Sequence, residues 1–265
     1  MRTPSKQLLA LAEDLNTYMP LRPGDSRLET ERYVLIFSAT EGPHGTVVQR
    51  FRLTPEQVSP TLAEIRAELR KAGRKEALFE LGPSATPPEL RERLIELGLT
   101  PFALESQTES LLLSCPAPDW LPPWPDSIRV DRVVDLETFR RSQHVFWECF
   151  GYIPEDFESA ILKDYACFKD SPLWQRFAAV QEGEIVGVGD VVFTPEAAVL
   201  CGGVTLPKAR GQGVYRALLG ARWEEACRRQ TPQLLTQAGH MSQPILKRLG
   251  FRCLCTVQIL HDRLV

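Results

Sequence analysis

A proline-rich segment at residues 115–126 constrains this chain more than any other feature of its sequence. It reads CPAPDWLPPWPD, with five prolines in twelve residues. Proline fixes φ and lacks an amide hydrogen, so the segment cannot form a regular helix or strand and is typical of a semi-rigid extended connector. We therefore predict two domains, residues 1–125 and 126–265, with the connector at the end of the first.

The remaining sequence has the composition of a globular protein. Its 265 residues are 43% apolar and 25% charged, which is enough for two domains with buried cores. The formal net charge of -3 gives no basis for binding nucleic acid or an anionic membrane. The apolar patch at residues 8–11 is too short for a secretory signal or a membrane span. We expect a cytoplasmic protein that binds small molecules.

Seven cysteines are scattered along the chain. An odd number in a chain of this length is typical of reduced thiols rather than of a disulfide framework. Cys253 and Cys255 would lie on one face of a strand, but no second CxxC or histidine pair completes a tetrahedral set. The sequence therefore predicts no metal site.

Hydrophobic periodicity and capping signals predict strands and helices in both halves. In the first half, two strands precede a helix that begins at the capping box T-x-x-Q of residues 54–57, in the order β-β-α-β-α-β. In the second half, a strand and two helices precede a hairpin with Glu182-Gly183 at its turn, then a strand, a helix, a strand and a short helix. We expect Phe251–Leu260 to complete the sheet of the second half.

The last segments of the two halves resemble each other. Residues 94–99 read LIELGL and residues 246–251 read LKRLGF, and each predicted helix ends at a glycine. A duplication would explain the likeness, but any β-α-β unit whose helix ends at glycine would look similar. The halves differ before their long helices, because residues 51–57 contain no glycine and residues 210–213 contain two.

The segment LPKARGQGVYRALL, residues 206–219, places those two glycines where a strand gives way to a helix. Glycine allows a close approach of the backbone, and the first amides of a helix lack intrahelical acceptors. Such a turn can bind phosphate groups, with Arg210 and Arg216 adding charge. It is not a P-loop, and Arg216 occupies the third glycine position of a Rossmann fingerprint. A glycine-rich turn that only joins a strand to a helix is the alternative.

Arg210-x-x-Gly213 follows a strand ending in VTLP and precedes an amphipathic helix. It resembles the R/Q-x-x-G-x-G/A acyl-CoA motif of the GNAT superfamily of N-acetyltransferases. Residues 247–251, KRLGF, resemble the end of that family's next motif, commonly Y-x-x-L-G-F, and the two occur in the right order. The resemblance covers residues 126–265. It implies an α+β fold with a mixed, mostly antiparallel sheet flanked by helices, and acetyl-CoA as co-substrate. The first domain would be a degenerate tandem copy or a structural companion.

By position, the resemblance assigns the coenzyme contacts to one stretch. The backbone of Val204, Thr205 and Leu206 would pair with the pantetheine arm, on a strand that diverges from its neighbour, often at a bulge. The diphosphate would lie on the amides of the following turn. The residues assigned there are Arg210, Gly211, Gln212, Gly213, Val214, Tyr215 and Arg216.

Two positions depart from the family pattern. Tyr215 stands where a glycine or alanine usually allows close approach, which predicts an altered contact with the coenzyme. Leu246 stands where a tyrosine often protonates the departing thiolate. The asparagine frequently found before this helix would fall near Gly239.

The candidate catalytic residues are His240, Glu148 and Tyr152. His240 follows a predicted strand at the turn into the short helix, where an imidazole could act as a base. Glu148 and Tyr152 flank a break between two helices, where the family often builds its acceptor pocket. Ordinary surface side chains are the alternative for all three. Asp190, among apolar residues on a strand, is either a buried base or a side chain that faces water.

Together these features predict an acyl-CoA-dependent N-acyltransferase that transfers acetyl from acetyl-CoA to a primary amine by direct attack. The alternative is an acyl-CoA-binding regulatory or scaffold protein with little turnover, which Leu246 suggests. No motif specifies the acceptor amine.

Overall fold

The computed structural model describes residues 4–39, 43–114, 121–151, 154–231 and 233–264. The chain forms two compact units. Unit 1 comprises Met1–Leu111 and Gln237–Val265, and unit 2 comprises Leu112–Thr236. Among the described residues, no helix has the length and apolar character needed to cross a membrane.

The helices and strands are numbered in chain order. They are α1 (Lys6–Glu13), α2 (Leu15–Tyr18), β1 (Ser26–Glu29), β2 (Val34–Phe37), β3 (Thr46–Gln49), α3 (Val58–Lys71), β4 (Glu76–Leu81), α4 (Leu90–Glu96), β5 (Thr100–Pro101), β6 (Gln107–Ser114), β7 (Ile128–Arg132), α5 (Leu136–Phe150), α6 (Phe157–Phe168), β8 (Trp174–Gln181), β9 (Glu184–Phe193), β10 (Ala198–Thr205), α7 (Val214–Arg228), β11 (Gln233–Ala238), α8 (Gln243–Arg248) and β12 (Arg252–Arg263).

Unit 1 is built on a mixed sheet. Its strand order is β1-β2-β3-β4-β12-β6, and β5 also pairs with β12. The step from β3 to β4 is parallel, and the pairings of β1 with β2, β2 with β3 and β4 with β12 are antiparallel. Helix α3 connects the two parallel strands and packs its apolar face into the core, because Leu62, Ile65 and Leu69 recur at helical spacing and are all buried.

The predicted capping box at residues 54–57 is present before α3. A short 3-10 turn covers Pro55–Gln57, and the Gln57 side chain accepts a hydrogen bond from the Thr54 amide at 2.9 Å. This contact satisfies one of the backbone donors that a helix start leaves unpaired.

The last strand lies in unit 1, so the prediction that residues 251–260 complete the sheet of the second half is wrong. β12 pairs antiparallel with β4, from Gln258 opposite Leu81 to Arg263 opposite Glu76. Arg66 of α3 adds a bidentate contact to Asp262, at 2.7 and 2.9 Å. An alternating apolar pattern predicts a strand but not its partner, which here lies far away in sequence.

The compact units therefore do not follow the predicted division at residues 125 and 126. The difference arises because Gln237–Val265 packs with the first part of the chain. A division of the sequence into two related domains at that point stays a prediction.

Unit 2 contains the strand order β11-β10-β9-β8-β7. The step from β10 to β11 is parallel, and the other pairings are antiparallel. The predicted hairpin turn joins β8 to β9, with φ of +52° at Glu182 and +82° at Gly183, as a type I′ turn requires. Each unit thus has a mixed, mostly antiparallel sheet flanked by helices, which confirms the predicted α+β class.

Unit 1 buries a group of carboxyl side chains beside its N-terminal helices. Glu80 on β4 accepts hydrogen bonds from the Gln49 and Asn16 side-chain amides. Burial raises the pKa of Glu80 to about 7, and burial together with the neighbouring Glu13 raises the pKa of Asp14 to about 6. These carboxyl groups hold their protons more tightly in the folded protein than in the unfolded chain.

Glu80→Gln should flatten the pH dependence of stability. Folded Glu80 keeps its proton up to a pH near 7, whereas the unfolded chain releases it near its ordinary pKa of 4.5. The free energy of unfolding of the natural protein should therefore fall as pH rises through this window, with up to about 3 kcal/mol arising from Glu80. Urea unfolding at pH 5 and pH 8 measures the difference. Exposed Glu31→Gln is the control, and equal slopes in the natural protein and in Glu80→Gln would contradict the expectation.

Candidate functional site

The turn before α7 gathers the predicted diphosphate ligands in unit 2. After β10 ends at Thr205, a 3-10 turn covers Pro207–Ala209 and α7 begins at Val214. Gly211 and Gly213 have φ of +75° and +95°, a conformation that side chains rarely adopt. The first turn of α7, which is described in full, contains no acidic residue. Nothing in that turn offsets the partial positive charge of the helix start.

The two glycines of this turn have different surroundings. A Cβ atom on Gly211 would have no described atom within 4 Å, so the backbone is open there. A Cβ atom on Gly213 would lie 3.2 Å from Pro125 Cδ and 3.3 Å from Trp124 Cβ and Arg216 Nη2. Gly211 leaves space beside the amides, and Gly213 accommodates the end of the proline-rich connector.

The connector continues along α7. A Cβ atom on Gly220 would lie 2.7 Å from Trp124 Cη2 and 3.2 Å from Leu121 Cδ2, so only glycine fits beneath the indole ring. Gly213 and Gly220 are two helical turns apart and form one groove for Trp124. Proline content predicted an extended connector, but it did not indicate that the connector packs on the helix of the candidate site.

β10 contains a bulge immediately before the predicted pantetheine contacts. Its register with β9 shifts between Cys201, opposite Asp190, and Val204, opposite Val188. Three steps along β10 match two along β9, and Gly202 has φ of +53°. The parallel pairing of β10 with β11 covers Ala198 and Val199, near the start of the strand. A bulge on this strand is the feature that the sequence resemblance implied.

After the bulge, alternate backbone groups of β10 point away from β9. The Leu206 amide donates to Val186 O on β9 at 2.9 Å. The backbone of Thr205 therefore faces the opposite edge, where Thr205 O accepts a hydrogen bond from Arg210 Nε at 3.2 Å. The buried Thr205 hydroxyl has no hydrogen-bond partner within the described residues.

Tyr215 and Arg222 of α7 meet the bulge. A Cβ atom on Gly203 would lie 3.2 Å from Tyr215 Cε2 and 3.8 Å from Arg222 Nη2. Burial raises the pKa of the Tyr215 phenol, and the Arg222 cation opposes that rise. The ring that departs from the family motif therefore packs against a glycine on β10, which provides the space for it.

A buried ion pair stands opposite the start of the bulge. Arg176 on β8 binds both carboxylate oxygens of Asp190 on β9, at 2.7 and 2.8 Å, and also donates to the Gln143 side chain. The Arg176 guanidinium lies 4.7 Å from the Phe139 ring centroid. Asp190 is thus buried, as one interpretation of the sequence held, but both of its oxygens are bound to Arg176. The arrangement favours a structural role over that of a base.

Among the predicted catalytic residues, Glu148 lies in unit 2 at the exposed end of α5, one turn before Gly151 closes the helix with φ of +67°. The hydrogen bond that Lys208 donates to Glu184 is the main cause of a raised pKa of the Lys208 ammonium, and the charge of Glu148 contributes to it. Tyr152 lies outside the described residues.

His240 lies in unit 1, where it forms a pair that the sequence did not predict. The Nδ1 atom of His240 is 2.9 Å from Glu105 Oε2, and the His240 amide donates to the same oxygen at 3.1 Å. A Cβ atom on Gly239 would lie 2.0 Å from that oxygen, so a larger residue there would require the Glu105 side chain to shift. No local signal links Glu105 to His240, because 135 positions separate them. Leu246, at the family's tyrosine position, is 1% exposed.

The fold of the chain is similar to that of solved N-acetyltransferases. A GCN5-related N-acetyltransferase from Kribbella flavida matches with a TM-score of 0.72 and 17% identity, over 96% of this chain and 95% of that one. A GCN5-related N-acetyltransferase from Sphaerobacter thermophilus has a TM-score of 0.63 and 20% identity, over 89% and 82%. A tandem GNAT protein from the clavulanic acid biosynthesis pathway has a TM-score of 0.60 and 14% identity, over 97% and 94%.

No protein-family sequence model matches the chain, and no curated protein sequence matches it. The structural likeness extends along nearly the whole of the Kribbella and tandem proteins. At these identities it shows the fold alone. The predicted GNAT-like fold with two tandem domains is confirmed.

Asp190→Asn should destabilise the protein by about 3–5 kcal/mol, because it leaves buried Arg176 without its carboxylate. Glu184→Gln is a matched control, since it removes one charge from an exposed pair with Lys208 and should change stability by less than about 1 kcal/mol. The free energy of unfolding in urea distinguishes the two. Similar values for both variants would show that the buried pair does not stabilise the fold.

Proposed function

We propose that this protein is an acyl-CoA-dependent N-acyltransferase that transfers acetyl from acetyl-CoA to a primary amine by direct attack. The observation that carries the proposal is the order of features along one chain segment. A bulged strand exposes the backbone of Thr205, and an open glycine turn then leads into the start of α7. This combination suits an acyl-CoA, because its extended arm can pair with strand backbone and its diphosphate can bind free amides.

The residues present fit such a ligand. The amides of residues 211–215 would hold the diphosphate, with Arg210 and Arg216 adding positive charge, and the backbone of Val204–Leu206 would hold the pantetheine arm. The open space at Gly211 supports this assignment. When bound, acetyl-CoA supplies the activated acyl group. Backbone amides on β10 would polarise its thioester carbonyl without any special side chain.

The amine must be neutral when it attacks. A lysine-like amine with a pKa of about 10.4 is neutral in roughly one molecule in 2,500 at pH 7, a cost of about 4.6 kcal/mol. An α-amine with a pKa near 7.7–8.0 is neutral in roughly one in ten and needs little help. His240, Glu148 and Tyr152 are the proposed candidates for the base. Of these, His240 has a carboxylate at Nδ1, which leaves Nε2 to accept a proton.

The second candidate function is an acyl-CoA-binding regulatory or scaffold protein. Buried Leu246 favours it, because leucine cannot donate a proton to a thiolate. Calorimetry with acetyl-CoA, followed by a free-thiol assay over a broad panel of amines, distinguishes the two functions. Thiol release supports the transferase, binding without release supports the scaffold, and absence of binding contradicts both.

A charge placed at Gly211 tests the diphosphate site. Both Gly211→Asp and Gly211→Asn place a side chain in open space, and both residues tolerate positive φ. We expect Asp to weaken CoA binding at least about tenfold relative to Asn, because only Asp adds a negative charge beside the proposed anion. Gly213 is less suitable because its side chain would meet Trp124 and Pro125. Equal affinities in folded Asp and Asn variants would refute the site.

The base can be tested by comparing acceptors. Removal of the true base should lower kcat/KM for a lysine-like amine by about 10²–10⁴-fold, and should have much less effect with an α-amine. His240→Asn, Glu148→Gln and Tyr152→Phe are compared, and we expect the variant that removes the base to show this difference. A loss that is equal for both classes of amine would rule out a base role for the residue replaced.

A further inference from the structure

We propose that Tyr215 donates the proton to the departing coenzyme thiolate and that the buried guanidinium of Arg222 stabilises the phenolate that this leaves. The inference rests on the proposed transferase function. It assigns the step that Leu246 cannot perform to a residue in a different element, on α7 rather than α8.

The Tyr215 ring is held against the bulge of β10. Its Cε2 atom packs against Gly203 at the bulge, and the neighbouring ring carbon carries the hydroxyl. The hydroxyl is therefore held beside the part of β10 that precedes the proposed pantetheine contacts. Within the described residues, no side chain or backbone group forms a hydrogen bond with it. Its donor remains available for a ligand atom.

Arg222 is buried, and one of its hydrogen-bond donors has no partner among the described residues. The side chain is 1% exposed, and its Nε and Nη1 atoms donate to Leu218 O at 3.0 Å and Asp190 O at 3.2 Å. Nη2 is buried and has no hydrogen-bond partner in the described part of the chain. An unpaired donor on a buried cation is costly. A Cβ atom on Gly203 would lie within 4 Å of both this donor and the Tyr215 ring.

Among the residues described, the positive charge of Arg222 is not balanced by a carboxylate of its own. The charge of Asp190 acts on the pKa of Arg222, but both oxygens of that carboxylate are already bound to Arg176. Two buried arginines therefore share one buried acid. The cluster carries an excess positive charge, which favours an anion at the bulge.

Proton transfer from Tyr215 accompanies the transfer of the acetyl group. The amine nitrogen attacks the thioester carbon, and the carbon–sulfur bond breaks with its electron pair moving to sulfur. The Tyr215 proton moves to that sulfur, and the phenolate regains a proton from the nitrogen of the new amide. A phenol with a pKa near 10 is a weaker acid than a thiol with a pKa near 8.5, and burial raises the pKa of Tyr215 further. The transfer therefore requires stabilisation of the phenolate, and the Arg222 cation supplies part of it by opposing that rise.

Tyr215→Phe removes only the hydroxyl and keeps the ring against Gly203. Free CoA bound to the protein gives a readout that needs no acceptor, because the ultraviolet absorbance of the thiolate reports the ionisation of the bound thiol. A hydroxyl that donates to the thiolate lowers the pKa of the thiol. We expect Tyr215→Phe to reduce the ionisation constant of bound CoA roughly three- to tenfold, with CoA affinity within about threefold of the natural protein.

The same variant should lower kcat with acetyl-CoA by at least about tenfold. Tyr165→Phe is the matched control, because Tyr165 lies on α6 and its hydroxyl already donates to Val134 O at 3.1 Å. Arg222→Gln should also reduce the ionisation constant, and Arg222→Lys should restore part of it by returning the charge.

Unchanged thiol ionisation in a folded, CoA-binding Tyr215→Phe variant would overturn this inference and leave the proposed function intact. Failure of the natural protein to bind CoA would instead overturn the proposed function, and this inference with it.

Discussion

The bidentate pair between Arg176 and Asp190 is the interaction on which the candidate site depends. Arg176 binds the carboxylate of Asp190 from β8, and Arg222 binds the backbone oxygen of the same residue from α7. Asp190 stands opposite Cys201, where the β10 bulge starts. One residue thus connects the hairpin, the helix of the proposed diphosphate turn and the strand of the proposed pantetheine contacts. Burial of these charges is tolerated because the geometry is bidentate and the aromatic ring of Phe139 lies close to the cation.

Much of the local structure of this site could be predicted from the sequence. Glycines at 211 and 213 predicted a turn with positive φ into a helix, and the structure contains it. Apolar spacing predicted the strand and the helix on either side, because each periodicity reports a buried face of one element. These signals lie within about ten residues of the feature they predict.

The features that the sequence did not predict all involve residues far apart along the chain. Glu105 contacts His240 across 135 positions, and Trp124 packs on Gly220 only because the connector follows α7. Asp190 alone could have been a base, since nothing near it in sequence identifies Arg176 as its partner. Pairing and packing between distant segments depend on the complete fold, and one sequence carries no direct signal for them.

Each unit contains a parallel pair of strands, β10 with β11 in unit 2 and β3 with β4 in unit 1. The backbone that follows β3 is already hydrogen-bonded, whereas the backbone at the end of β10 is largely open. In unit 2, as far as the described residues show, the only hydrogen bond to the edge of β10 beyond the bulge is donated by the Arg210 side chain to Thr205 O. In unit 1, the segment after β3 is bound by its own chain, because Thr86 donates to Phe51 O at 3.2 Å and accepts from the Leu53 amide at 3.3 Å. The backbone groups that a coenzyme arm would need in unit 1 are therefore already paired.

The pairing of β12 with β4 also determines when the sheet of unit 1 can be completed during synthesis. β4 emerges from the ribosome early, but the strand that covers its edge is made only after the whole of residues 112–236. Until then, unit 1 has an unpaired strand edge, which is a template for wrong pairing with other chains. The last segment of the sequence thus completes the sheet of the first part, and the edge of β4 stays open for as long as residues 112–236 are being translated.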